Sequence, residues 1–408
     1  MNLRRIFVAA AAAAVLGGVF LPAGLKGQDP VRTMTLVPVA GFGTGVNWAK
    51  AFSDYQGRGT YKDLVRLSDG RLIVADSRTY NFLVFNADGR FLKKFWKQGR
   101  RDKTSLSVYG RPEWISILEN RLLFVSELGR IRVFDLSGKE IRSAKVDHPV
   151  NCFEALDEKT VALAGWVTRK DLPILRFVAV VDLESEKETV VMDMSSKEFD
   201  GPALNYTTED GKIVTVELPL ATPRPFVRRL PDGRFLAGFS HWPDVEVHDI
   251  SGAKTGEFLL ETPKNIDDLA FYAELERRFI KAREDIGLLR EREGSRIVLK
   301  PRRAVGSIVA PGRLPKSLPY YYDLNVDETG RLRVFLLPEK GKNPVVQVYT
   351  PAGELIDRHA IDEGGYSLVL SPGAQGPVFA GEFVYALAEK KDVKGVPLRL
   401  MKFRLVDK

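Results

Sequence analysis

The sequence predicts an all-β chain built from repeats of a four-stranded antiparallel unit. Two observations support this fold class: short apolar runs recur along the chain, and tight-turn dipeptides separate them at regular spacing. The 408 residues are 44% hydrophobic and 28% charged, with 35 Gly and 23 Pro, a composition typical of a folded chain rich in turns. Length alone leaves the domain count open, because repetitive β folds keep such a length in one body.

The N-terminus has the order of charges expected of a secretory signal. Arg4 and Arg5 precede an uncharged run over 6–25, after which polar residues return. We predict that residues 1–27 are a signal peptide. The alternative is an uncleaved N-terminal anchor, because the run could just span a bilayer. No cysteine stands at the end of the run, so a lipoprotein is excluded and a periplasmic or extracellular location is predicted, with no membrane span after cleavage.

The first repeat covers residues 61–95. It contains four short apolar runs, and tight turns are predicted at Asp69-Gly70 and Asp88-Gly89. Asp-Gly between β-type runs favours a hairpin, because glycine accepts a positive φ without a Cβ clash. The segment therefore predicts a four-stranded antiparallel meander.

The same pattern returns further along the chain. Residues 113–143, 226–260 and 321–356 repeat it clearly, and 151–192 repeat it more weakly. In three of these units, counting 61–95, the first and third turns lie 18 or 19 residues apart. This regularity predicts five successive copies of one unit.

The two ends of the chain together complete a sixth unit. The sequence after Tyr366 contains only three strand-like runs, and residues 33–39 form an isolated one. Pairing the isolated strand with the last three would close the array and remove its exposed edges. We therefore predict a single six-bladed β-propeller over residues 33–408.

One segment departs from this pattern. Residues 265–293 are charged, contain no proline, and carry apolar residues at steps of three and four, which predicts a helix inserted between blades four and five. Its apolar stripe consists of Tyr272, Leu275, Phe279, Ile286 and Leu289. The stripe either packs on the propeller or docks a partner protein.

The repeats resemble a known family. The stretch RLIVADSRTYNFLVFNADGRFLKKF resembles the NHL repeat, and LLFVSELGRIRVFDLSGKEI is similar to it as well. The predicted helix followed by LPKSLPYYYDLNVDETGRLRVF resembles a bacterial group of exported six-bladed propeller proteins of mostly unknown role. Arg333 stands where that group usually has Trp. The resemblance implies the fold and leaves the function open.

Channel-facing residues are the first candidates for a binding site, because the first strand of each blade lines the central channel. Counting six residues back from the first turn of each unit gives the predicted ring: Asp63, Glu113, Asn151, Phe226 and Tyr321. Arg111 and Arg224, two residues earlier, are predicted above it.

Part of this ring could also hold a metal. Asp63, Glu113 and Asn151 offer oxygen ligands suited to Ca²⁺, an arrangement similar to that of six-bladed lactonases of the gluconolactonase type. A Ca-dependent lactonase or lyase is therefore the alternative hypothesis. Cys152 is the single cysteine and the four histidines are isolated, so neither a disulfide nor a His- or Cys-rich metal site is predicted.

No complete catalytic set is present in the sequence. No GxSxG motif occurs, and the net charge of +8 comes from 61 basic and 53 acidic residues scattered along the chain. We predict no nucleic-acid partner, because no basic stripe occurs. The leading hypothesis is an exported, non-catalytic binding or scaffold propeller of the bacterial envelope without a cofactor. It would recognise a protein, peptide or glycan through a channel mouth or the inserted helix, and its oligomeric state stays open.

Overall fold

The computed structural model describes most of the chain after residue 30. The described ranges are 31–52, 61–76, 81–95, 114–127, 129–167, 175–195, 203–208, 213–217, 224–261, 288–293, 296–301, 304–309, 320–336, 342–370 and 374–408. Within them lie thirty strands and one four-residue helix. Residues Arg32–Lys408 form one compact unit. No helix in these ranges is long and apolar enough to cross a membrane.

The described part of the chain begins with a strand and a short helix, and two four-stranded antiparallel sheets follow. The first elements are β1 (Arg32–Pro38) and α1 (Trp48–Ala51). The first sheet consists of β2 (Tyr61–Arg66), β3 (Leu72–Asp76), β4 (Asn81–Phe85) and β5 (Phe91–Phe95). The second consists of β6 (Trp114–Leu118), β7 (Leu122–Glu127), β8 (Arg130–Asp135) and β9 (Glu140–Lys145).

The third and fourth sheets have the same order but are separated by extra strands. The third sheet consists of β10 (Val150–Ala155), β11 (Thr160–Val167), β12 (Leu175–Asp182) and β13 (Lys187–Ser195). Two extra strands follow, β14 (Ala203–Thr208) and β15 (Ile213–Glu217). The fourth sheet consists of β16 (Pro225–Arg229), β17 (Phe235–Phe239), β18 (Asp244–His248) and β19 (Lys254–Leu259).

Three strands lie in the described parts of the segment between the fourth sheet and residue 320. They are β20 (Leu288–Glu293), β21 (Arg296–Pro301) and β22 (Ala304–Val309). Strand β22 pairs with β14, so two insertions of the chain share one three-stranded sheet. Strands β20 and β21 form an antiparallel pair in which Glu293 faces Arg296.

The helix prediction is therefore wrong over residues 288–293, including Leu289 of the predicted stripe. Gly294 and Ser295 separate β20 from β21 in the sequence, and a two-residue connection that begins with glycine is typical of a β-hairpin. The hairpin formed with β21 therefore replaces the helix that the spacing of apolar residues suggested. Residues 265–287, with the other four residues of the stripe, lie outside the described ranges.

The last strands form a nine-stranded sheet together with β1. Its members are β23 (Asp323–Val326), β24 (Leu332–Phe335), β25 (Val345–Tyr349), β26 (Leu355–Asp362), β27 (Tyr366–Leu368), β28 (Val378–Ala380), β29 (Phe383–Lys390) and β30 (Leu398–Asp407). Strand β1 pairs in parallel with β26 and antiparallel with β30. One strand thus joins the two halves of this sheet along their outer edge.

Turn chemistry repeats from sheet to sheet. The side-chain oxygen of Asp135 accepts hydrogen bonds from the backbone N–H groups of residues 137 and 139, both at 2.9 Å. Asp249 and Asp327 make the same pair of bonds two and four residues on. These Asx turns fix the hairpins locally, which explains why the turn dipeptides are visible in the sequence.

One turn glycine also packs tightly against another sheet. Gly353, between β25 and β26, has φ +88, and a Cβ there would overlap the ring of Phe258 from β19. Gly233, between β16 and β17, has a similar φ of +90 but open space around it. Glycine is therefore required at both positions for its backbone and, at Gly353, also for close packing.

The hydrophobic core lies between neighbouring sheets. The first and second sheets, for example, bury Val65, Ile73, Ile115 and Leu123 against each other. The innermost strands contact one another in the order β28, β2, β6, β10, β16 and β23. The predicted all-β class with mostly four-stranded antiparallel sheets is confirmed, and these are the sheets of which β-propellers are built.

Candidate binding site

Where the innermost strands converge, the core becomes polar. Asp63 of β2 is 1% exposed, and its Oδ1 accepts hydrogen bonds from the backbone N–H groups of Leu64 at 2.9 Å and Gln375 at 2.6 Å. Its Oδ2 accepts from the N–H of Ile115 at 2.8 Å. Burial raises the pKa of Asp63 to about 7, and these backbone bonds oppose the rise. One carboxylate thus connects β2, β6 and the segment before β28.

Arg228 of β16 occupies the opposite part of this centre. It is 2% exposed and donates to the carbonyl oxygens of Leu324 at 2.6 Å, Val227 at 2.9 Å and Ala374 at 2.8 Å. Its guanidinium also lies 3.3 Å from Oδ1 of Asp323. The pKa of Arg228 is raised, because its carboxylate neighbours outweigh the loss of solvation on burial. This side chain therefore holds three chain segments together at the axis.

Gln375, in the segment before β28, joins the same network. Its Nε2 donates to Oε1 of Glu154 at 2.8 Å, and Oε2 of Glu154 accepts from Ser116 Oγ at 3.1 Å. Asn325 Nδ2 donates to the carbonyl oxygens of Gln375 and Pro377 at 2.7 and 2.9 Å. Burial raises the pKa of Glu154, and its hydrogen bonds and the nearby Arg228 oppose the rise. The centre is thus closed by a network in which each of these groups has a partner.

A cavity of about 400 Å³ opens directly beside this network. Its walls come from all six innermost strands or the turns and segments next to them. The lining residues are Val65, Arg66, Ser116, Ile117, Glu119, Glu154, Arg229, Leu230, Pro231, Asn325, Val326, Asp327, Glu328, Gln375 and Val378. We call this space the axial cavity. Its size is within the range of small-ligand sites.

The axial cavity has a buried floor and a charged rim. Ser116, Glu154 and Asn325 are at most 5% exposed and form the floor. Glu119 and Glu328 are exposed at the rim. The lining as a whole offers hydrogen-bond donors, acceptors and charges of both signs. Such groups can recognise a polar ligand.

The predicted ring residues within the described ranges have different surroundings. Asp63 lies in the network, whereas Phe226 and Tyr321 are buried and pack edge-to-face with ring centroids 5.4 Å apart. Asn151 is half-buried at a register shift between β10 and β11. The guanidinium of Arg224 lies 5.9 Å from the ring of Tyr322. Arg111 and Glu113 lie outside the described ranges.

The metal hypothesis meets specific obstacles at Asp63. Both of its carboxylate oxygens already accept backbone N–H groups, so a cation would have to displace those bonds. No group of three or more His, Cys, Asp or Glu residues suited to a metal occurs in the described part of the chain. Cys152 is buried, and burial raises the pKa of its thiol to about 11, so it is a poor metal ligand at neutral pH.

The sequence did contain a signal for the network that we missed. In four sheets the turn after the innermost strand closes with a hydrogen bond from the N–H of residue 67, 156, 230 or 327 to a carbonyl four residues on. Two residues before these positions stand Val65, Glu154, Arg228 and Asn325. Three polar residues at this register are unusual for the inner strand of a repeated unit, where burial favours apolar side chains.

No family model and no curated protein matches the chain. Among solved structures it is similar to a member of the DUF4221 family from Bacteroides vulgatus, at 10% identity and TM-score 0.48 over 93% of this chain and 98% of that chain. It is also similar to the β-propeller domain of Cps50 (Swd1) from Myceliophteria thermophila, at 12% identity and TM-score 0.39 over 85% of this chain and 96% of that chain. A third similar structure is regucalcin, a calcium-binding protein from Agrobacterium tumefaciens, at 10% identity and TM-score 0.42 over 86% of this chain and 92% of that chain. The neighbours are β-propeller proteins, and likenesses with TM-scores below 0.5 carry no argument about activity.

Proposed function

We propose that this chain is an exported, non-catalytic binding module with a six-bladed propeller over residues 33–408, which recognises a peptide, protein or glycan at the axial cavity. The observation that carries the proposal is the cavity itself, with walls from all six innermost strands and a polar floor. Export rests on the N-terminal segment 1–27, which has the order of a secretory signal.

The state of the central carboxylates favours binding over catalysis. A general acid or base needs a carboxyl group within reach of the substrate, and Asp63 is 1% exposed with both oxygens engaged by backbone N–H groups. Glu154 borders the cavity, but Ser116 and Gln375 each donate a hydrogen bond to it. Such groups are positioned to orient a ligand and to hold the ring together.

The strand order supports the proposed blade count of six. Four sheets have four strands each, and the nine-stranded sheet contains β23–β26 followed by β27–β30 with β1. Counting the two halves of this sheet separately gives six units around one axis, the sixth completed by the pairing of β1 with β30. We propose this as the architecture that forms the cavity.

Affinity capture with a cavity-blocking variant tests this function. Glu328→Trp places a large side chain at the exposed rim, and Glu354→Trp places the same residue on the exposed β25–β26 turn as a matched control. The exported protein is incubated with envelope extract and with peptide and glycan arrays, and bound molecules are identified by mass spectrometry. We expect wild type and Glu354→Trp to retain a ligand that Glu328→Trp loses.

Two outcomes would count against the proposal. Equal capture by both tryptophan variants would show that the ligand does not enter the axial cavity. Calcium-dependent turnover of a lactone panel that disappears in Asp63→Ala, while the circular dichroism spectrum stays unchanged, would replace the binding module by an enzyme.

A further inference from the structure

Two arginines beside the axial cavity have unfilled hydrogen-bonding capacity. The Nε atoms of Arg66 and Arg229 are both buried without a hydrogen-bond partner. Within the described part of the chain Arg229 makes no ion pair, and Arg66 has only Glu328, at 3.9 Å. A buried N–H group without an acceptor is costly, so these two donors mark the place where an acceptor is missing.

The acidic groups around the same cavity are better satisfied. Oδ2 of Asp327 accepts from Arg333 at 3.0 Å, and Glu119 pairs with Arg121 at 3.0 Å. Glu154 is held by two hydrogen-bond donors from its neighbours. Among the described residues that line the cavity, Glu119, Glu154 and Asp327 are thus engaged, whereas the Nε donors of Arg66 and Arg229 have no acceptor.

The charge balance selects the kind of anion. A carboxylate matches the fork of a guanidinium and is bound by paired N–H groups. A phosphate dianion would meet stronger repulsion from the carboxylates of Glu119 and Glu328 at the rim, because like charges in a partly dry site repel strongly. A single negative charge is the better fit.

We propose that the axial cavity binds a ligand through one carboxylate group, held by Arg229 and assisted by Arg66. This inference rests on the proposed binding function and makes it specific. The shared chemistry is a carboxylate, which a free peptide C-terminus and a uronic acid both carry.

Matched acid and neutral probes test the inference. The probes are the tripeptide Gly-Gly-Gly and its C-terminal amide, and methyl glucuronoside and methyl glucoside, titrated into the full exported protein and followed by calorimetry or NMR. We expect at least one acid to bind about tenfold or more tighter than its neutral counterpart, the gain typical of a charged hydrogen bond. The pair that shows the gain identifies the source of the carboxylate.

Variants of the arginines link the gain to the site. Arg229→Gln should abolish the preference for the acid, and Arg66→Gln should reduce it. Arg234→Gln, in the turn after the same strand, is the control, because Arg234 is exposed and pairs with Asp232. Melting temperatures identify any variant that fails to fold, and the remaining arginine variant then decides.

The inference is overturned if acid and neutral probes bind equally, if none binds, or if Arg229→Gln keeps the preference. Inorganic phosphate that competes better than acetate would show a dianion site and would also overturn it. A ligand that Glu328→Trp excludes but whose binding ignores its carboxylate would leave the proposed function intact and remove this inference alone.

Discussion

Replacing Arg228 by methionine tests whether the central network holds the ring together. Methionine keeps much of the volume of the side chain but removes the donors to the carbonyl oxygens of Leu324, Val227 and Ala374. It also removes the cation beside Asp323, 3.3 Å away. Both consequences fall on groups that are buried at the axis.

The expected cost is large compared with ordinary single substitutions. Removing one partner of a buried ion pair costs about 3–5 kcal/mol, and each carbonyl oxygen left without its donor adds about 1 kcal/mol. The apolar methionine side chain offsets part of this loss. We expect Arg228→Met to lower the free energy of unfolding by about 5 kcal/mol, a large share of a typical total of about 5–15 kcal/mol.

Urea unfolding followed by tryptophan fluorescence measures this cost. Arg234→Met is the control, because its ion pair with Asp232 is exposed and such pairs contribute less than about 1 kcal/mol. A double-mutant cycle with Asp323→Asn gives the coupling between the two buried groups, which we expect to be about 2 kcal/mol. A loss below about 1 kcal/mol for Arg228→Met, or no coupling to Asp323, would refute this account of the axis.

Three further predictions follow from other features. Gly353→Ala should lower the free energy of unfolding by about 2–3 kcal/mol, because the added methyl group would overlap the aromatic ring packed on the β25–β26 turn. Gly233→Ala, at a similar φ but in open space, should lower it by about 1 kcal/mol. Equal melting temperatures of the two variants would contradict this prediction. Burial raises the folded-state pKa of Asp63 from its usual 3.8 to about 7. Its protonation therefore stabilises the fold fully below the unfolded pKa, and that contribution is lost as pH rises through about 7. Asp63→Asn should flatten the pH dependence of urea unfolding over that window, and an unchanged slope would show that the carboxylate stays ionised. A chain that starts at Val39 should have a free energy of unfolding at least about 2 kcal/mol lower than one that starts at Arg32, because β1 buries Leu36 and pairs with two strands. Light scattering and thermal melts compare the two chains, and identical behaviour would contradict the prediction.

Local chemistry made the sheets predictable. The Asp-Gly turns at 69–70 and 232–233 and the alternating apolar runs on either side are complete signals within about ten residues. The structure places hairpins at both turns. The all-β class with four-stranded antiparallel sheets could therefore be predicted from single repeats.

Locating the site residues required the exact register of each innermost strand, which the sequence determines less well than it determines the strands themselves. Counting back from every first turn needs the same anchor position in each unit, but the anchors differ. The N–H of Leu67, two residues before the anchor Asp69, bonds to the carbonyl of Arg71, whereas in the later unit the anchor Asp327 itself makes the equivalent bond to Arg331. The count therefore reached Tyr321, which packs in the core, instead of Asp323, whose Oδ1 accepts the N–H of Leu324 as that of Asp63 accepts Leu64.

Gln375 was beyond sequence reasoning for a different reason. Its contacts are with Asp63 and Glu154, more than 220 residues earlier in the chain, and no local pattern encodes such a distance.

The position of β1 has a consequence for the order in which the molecule assembles. Arg32 pairs with His359, and Met34 pairs with Asp407, so the first strand to be synthesised needs the last ones as partners. Its docking must follow the closure of a loop of more than 300 residues, and contacts of such separation form late and slowly. Until then the last sheet lacks its bridging strand, and the free N-terminal segment of one copy could add to the edge of another. Newly made chains at high concentration are therefore expected to exchange this strand and form swapped dimers, whereas dilute chains close on themselves.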